Sequence, residues 1–159
     1  MITRLLLTAV LASGLPFAHA DDPPIGRDPA ALQARGVQHF YAGRIKEALA
    51  DWDRVIKLAP NQAPHHWQRG IALYYAGEYE KGVAQFESHQ TVNHHDVENA
   101  AWHFICAART EDGSVEQARK ELIPIEGDSR VPMKEIHELF AGTGTPEKVL
   151  AAARADNPN

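Results

Sequence analysis

The chain superimposes on itself at an offset of 34 residues. Arg35-Gly36 returns as Arg69-Gly70, and Tyr41-Ala42-Gly43 returns as Tyr75-Ala76-Gly77. At the same offset Ile45 maps to Tyr79, Ala48 to Gly82 and Trp52 to Phe86. A period of this length, with small residues at fixed places, marks stacked helix–turn–helix units that cannot bury their apolar faces alone. Apolar residues over 45–58 and 79–86 recur at helical spacing, and no segment offers strand alternation, so the expected fold is all-α. Gly43, Gly77 and Gly113 suit a left-handed turn residue between two helices. Trp52, Phe86 and Leu122 are expected to fill the space that small residues leave between paired helices.

These residues resemble the tetratricopeptide repeat. Such a repeat has a small residue midway along its first helix, a glycine at the turn, a small residue early in the second helix, an aromatic four residues on, and a closing proline. Residues 29–62 supply Gly36, Gly43, Ala48, Trp52 and Pro60; residues 63–96 supply Gly70, Gly77, Gly82 and Phe86, with His94 in place of the proline. A degenerate third unit starts near Asn99 after a slip in register and shows Trp102, Cys106, Gly113, Ala118 and Leu122. About three hairpins are therefore expected over 29–124. Pro132 and the Thr145-Pro146 pair then start two short helices over 125–155, a hairpin expected to cap the open face of the stack, with a frayed tail at 156–159.

The first 20 residues read as an address. Arg4 gives a basic start, Leu5–Ala12 is apolar apart from Thr8, and Ala18-His19-Ala20 fits a small-residue cleavage site. That run is too short for a permanent membrane anchor, and no later run is long enough to span a bilayer. The mature chain is expected to start at Asp21, with a Pro- and Asp-rich linker over 21–28, and to be exported to a periplasmic or extracellular compartment. The formal net charge of −5 disfavours nonspecific nucleic-acid binding, which needs surplus Lys and Arg. A single cysteine, Cys106, excludes an intrachain disulfide framework and a multi-cysteine zinc site.

Histidine is the unusual residue, nine in all. His94, His95 and His103, with Asp96, Glu98 and Cys106 nearby, hold the atom types of a metal site, but their spacing does not put three ligands on one helical face. A polar loop that caps the next helix through Asp96 or Asn99 is the simpler reading. There is no nucleophile elbow, zinc-protease helix or phosphate-binding glycine loop, so neither catalysis nor a cofactor is expected.

In tetratricopeptide proteins, ligands usually meet first-helix positions on the concave face. The resemblance carries Gln33, Val37, Phe40 and Tyr41 to that face from the first unit, Trp67, Ile71, Tyr74 and Tyr75 from the second, and His103, Ala107 and Thr110 from the third. Chaperone-tail-binding members clamp a carboxylate with Lys, Asn and Arg; here Gln33, Trp67 and His103 stand at the Lys position, and Val37 and Ile71 at the Asn position. An aromatic groove for a protein or peptide is implied instead, with Phe40, Tyr41, Trp67, Ile71, Tyr74, Tyr75 and His103 as its contacts. The layout resembles NlpI-like envelope adaptors, small tetratricopeptide lipoproteins, without their lipid-attachment cysteine. The alternatives are metal binding through His94, His95 and His103, and pairing of two copies through the aromatic face.

Overall fold

A computed structural model describes residues 24–156; the expected address segment 1–20, the start of the linker and residues 157–159 lie outside it. The described residues are helical, with no strand among them. After a 3-10 turn at Pro24–Arg27 come α1 (Pro29–Tyr41), α2 (Ile45–Leu58), a 3-10 segment at Pro60–His65, α3 (Trp67–Tyr75), α4 (Tyr79–Gln90), α5 (Val97–Ala107), α6 (Val115–Lys120), α7 (Met133–Ala141) and α8 (Pro146–Asp156). From α1 to α6 the helices pack on their neighbours in the chain order of a solenoid: α1 on α2, α2 on α3, α3 on α4, α4 on α5 and α5 on α6. No described helix is long and apolar enough to cross a membrane.

The helix ends follow from local chemistry. Asp28 caps α1 by accepting the Ala30 N–H at 3.0 Å, and Pro29 occupies the first helical position. Gly43 stops the helix at φ 72°, a left-handed conformation costly for other residues. That geometry lets the Arg44 N–H reach the His39 carbonyl at 2.9 Å and the Gly43 N–H reach Phe40 at 3.0 Å. Gly77, at φ 77°, repeats the arrangement, with Glu78 N–H on Leu73 O and Gly77 N–H on Tyr74 O. Gly113 differs from expectation: it is not among the glycines with positive φ. Space is what it supplies, since a Cβ there would lie 2.3 Å from the Ala107 carbonyl oxygen.

Gly36 and Gly70 also answer to space. Each lies in a first helix under a large ring from the second, Trp52 or Phe86, and both rings are fully buried. Ala48, Leu49, Trp52 and Val55 form the buried stripe of α2, and the first core joins Ala48, Leu49 and Trp52 to Ala72 and Leu73 of α3. Polar pairs reinforce the same joints. Arg35 donates to both carboxylate oxygens of Asp51 at 2.8 and 2.6 Å. One repeat on, Arg69 donates to Gln85 Oε1 at 3.0 Å while also reaching back to Asp53 at 2.8 Å. Gln85 Nε2 and the His89 ring bond the carbonyls of Ala63 and Pro64, which ties the 3-10 segment to α4.

The third unit departs from the pattern. α6 ends at Lys120, so Leu122 falls beyond the helix and does not wedge a hairpin as Trp52 and Phe86 do. It packs beside a second core of Phe104, Ala107 and Ala118. α7 lies across α5, and Phe140 meets Phe104 edge-on with ring centroids 5.0 Å apart. α8 folds back on α7 after the turn closed by Gly142 at φ 79°. The loop before α7 is fastened to the start of α5. Asp128 accepts the Val97 N–H at 3.1 Å, and Arg130 bridges Asp96, Glu98 and Asp128 at 2.8–3.0 Å. The Arg130 guanidinium beside Asp128 holds its carboxyl at about 2, and these carboxylates in turn raise Arg130 above its ordinary range.

Candidate functional site

The first helices place a row of aromatic rings along one side of the stack. Tyr41, at the end of α1, is 78% exposed; Trp67, at the start of α3, is 46% exposed; Tyr75, at its end, is 63% exposed. Tyr75 stands where Tyr41 stands one repeat earlier, because both precede the glycine turn. Phe40 is half-buried, leaning on Tyr41 at one edge and on the Trp52 ring at the other, both at 5.8 Å between centroids. A shallow cavity of about 330 Å³ lies between Phe40, Tyr41, Ile45 and Tyr75 and so joins the first two repeats.

Tyr74 is the hub of the row. Its ring lies 5.6 Å from Tyr75, 5.5 Å from Tyr79 and 5.6 Å from Trp102. Arg109 covers the far side, 5.0 Å over the Tyr79 ring and donating to its hydroxyl at 2.8 Å. Beyond Tyr74 a cavity of about 280 Å³ opens between α3 and α5, lined by Trp67, Ile71, Phe86, His89, Asn93, Asp96, Glu98, Asn99 and Trp102.

Phe40, Tyr41, Trp67, Ile71, Tyr74 and Tyr75 are thus placed along this row or in its two cavities. His103 is elsewhere. It is 3% exposed, with Nε2 3.6 Å from Glu87 Oε1 of α4 and Nδ1 without a hydrogen-bond partner among the described residues. Burial lowers its pKa, against the pull of Glu87, which raises it. Trp102, absent from the positional carry-over, takes the place beside Tyr74 and Tyr75. The slip in register before the third unit hid it. The legible signal was its i, i+4 and i, i+3 spacing from Glu98 and Asn99, which puts all three on one side of α5.

The histidines are scattered. His94 and His95 are exposed in the turn before α5, with rings 6.5 Å apart, whereas His66, His89 and His103 are buried in separate helix contacts. Among the described residues no group of three or more His, Cys, Asp or Glu side chains is arranged to hold a metal. Cys106 is fully buried, and burial pushes its thiol up to about 12, so it carries no nucleophilic thiolate at neutral pH.

Residues 29–62, which span α1, the turn at Gly43 and α2, match the Tetratricopeptide repeat family. No curated protein matches the chain. The matched repeat and the all-helical stack around it define a helical-repeat solenoid. The class to which this repeat belongs is a protein–protein interaction module, typically without catalysis of its own.

Proposed function

We propose that the chain is an exported, non-catalytic adaptor that holds an extended segment of a partner protein along its aromatic row. The observation that carries this reading is the set of large rings, Tyr41, Trp67 and Tyr75, left exposed on first helices whose opposite sides are buried. Tyr and Trp give large contact area at low conformational cost and dominate binding energy in protein interfaces. The adaptor is of the NlpI-like envelope kind, soluble after cleavage before Asp21.

Selection from a displayed random-peptide library tests the groove. Wild-type protein enriches a family of peptides that the Trp67→Ala and Tyr75→Ala variants do not retain, with helicity by circular dichroism unchanged. Peptides held equally by both variants place the interface elsewhere. Light scattering over a concentration series distinguishes pairing: a mass that doubles with concentration, lost in the same variants, makes the occupant a second copy. Amino-terminal sequencing of the expressed chain tests export, with Asp21 as the expected first residue.

A further inference from the structure

The cavity between α3 and α5 combines three features that the rest of the aromatic row lacks. Two indoles, Trp67 and Trp102, wall it. Asp96 and Glu98 stand at the start of α5 on its lining, and with Asp128 they share one guanidinium, that of Arg130, so three carboxylates face one cation. Asn99 lines it as well, 3% exposed. Its Nδ2 donates to the Phe86 carbonyl and to Gln90 Oε1, while its Oδ1 is a buried acceptor with no partner among the described residues. A buried acceptor without a donor is costly to keep, so the Asn99 side chain gains by turning toward a ligand N–H.

Aromatic faces, excess carboxylate and an orphan acceptor together call for a cation that carries N–H donors. We infer that this cavity takes one lysine or arginine side chain of the partner segment, its stem against the indoles and its head toward Asn99 and Glu98. The inference rests on the row being a groove for an extended segment. Its continuity with Tyr74 and Tyr75, which meet Trp102 edge-on, supplies the path along which the segment's backbone runs. At about 280 Å³ the space is below the usual range for whole small-molecule ligands and suits a single side chain. The acidic net charge of the chain favours a basic partner at long range.

The three tryptophans allow a direct test, because Trp52 is fully buried away from the cavity and serves as an internal control. Full-chain protein labelled with nitrogen-15 is titrated with Nα-acetyl-lysine methylamide, its arginine counterpart, the norleucine and glutamate counterparts, and tetramethylammonium. The lysine and arginine probes are expected to shift the indole N–H signals of Trp67 and Trp102 and leave that of Trp52 in place. Their affinity falls about tenfold in Trp67→Ala and about two- to fivefold in Glu98→Gln, and falls with added salt. Equal shifts from the norleucine probe reduce the site to an apolar one and overturn the inference. Binding of tetramethylammonium without the lysine and arginine probes makes it a site for a free cation, and absence of any shift also overturns it. A library that yields groove-binding peptides without a basic residue removes this inference and leaves the adaptor reading standing. Probe binding with no selected peptides keeps a cation site in the cavity but removes the extended-segment reading, and with it the partner side chain as the occupant.

Discussion

Gly36 lies so close beneath Trp52 that a methyl group on it would fall 2.6 Å from the indole Nε1; 34 residues later Gly70 has the same relation to Phe86, 2.5 Å from Cζ. Both rings are fully buried, so neither can swing aside. The two crossings are one device used twice. A helix without a side chain at one point admits an aromatic from its partner, and the pair closes to contact distance.

Gly36→Ala is therefore expected to destabilise the fold by about 1–3 kcal/mol through overpacking, in spite of alanine's better helix propensity. Gly70→Ala should cost a similar amount. Thermal unfolding followed by circular dichroism reads both, and Gly36→Ala should cost less in a Trp52→Leu background, where the ring is gone, than in the wild-type chain. A stability equal to wild type in Gly36→Ala contradicts the crossing.

Asp51 is buried and receives two donors from Arg35, which sits on the facing helix of the same repeat. Asp51→Ala should cost about 1–3 kcal/mol, because charge-assisted bonds in a partly buried setting are lost together. Gln85 holds the equivalent place in the second repeat and bonds both Arg69 and the Ala63 carbonyl. Asp51→Asn, which keeps one acceptor, should fall between wild type and Asp51→Ala in urea midpoint.

Acid should weaken the fold in two windows. Burial holds His66 and His103 below their ordinary value, with Arg69 and His65 adding to the effect at His66 and Glu87 opposing it at His103. The unfolded chain then takes up protons first, so this stabilisation is complete above about pH 6.5 and is lost as pH falls below it. The second window belongs to Asp128, whose carboxyl is held at about 2 by Arg130. Its contribution is present above the unfolded value near pH 4 and is lost as pH falls toward about 2. Urea midpoints should drop between about pH 7.5 and 5.5, and the drop should shrink in a His66→Gln/His103→Gln double variant. An unchanged pH profile in that variant assigns the dependence to other groups.

Cys106 should be silent toward thiol reagents in the native protein. It is fully enclosed, its thiol is pushed up to about 12, and its Sγ occupies the space where a Cβ on Gly82 would fall, 2.7 Å away. Ellman's reagent at about pH 8 should therefore find no thiol until denaturant is added, and then one. Prompt native reaction would mean that the contact between α4 and α5 opens.

The residues that repeat were legible because they answer to constraints that a chain of letters carries. Gly43 and Gly77 announce a backbone angle, and Gly36 with Trp52 announces a volume, each by residue type and spacing alone. Pro146 and Asp96 likewise mark helix starts through chemistry confined to one turn. Gly113 misled because a turn glycine can be required for its angle or for its lack of bulk, and the sequence does not say which. Position alone carries His103 into the groove, yet the shift in register before α5 turns it onto Glu87 and leaves the groove place to Trp102.

What the sequence determined by itself was the hairpin, since its period, turn glycines and paired small and large residues are local or lie within one repeat. Tertiary structure decided how the stack ends and what its open side presents. The clasp of Arg130 on Asp96, Glu98 and Asp128, the seating of α7 across α5 and the bond from Asn99 to the Phe86 carbonyl all join segments that no spacing rule connects. Such contacts depend on how rigid units rotate against one another, and that rotation is set by the packing of many side chains at once.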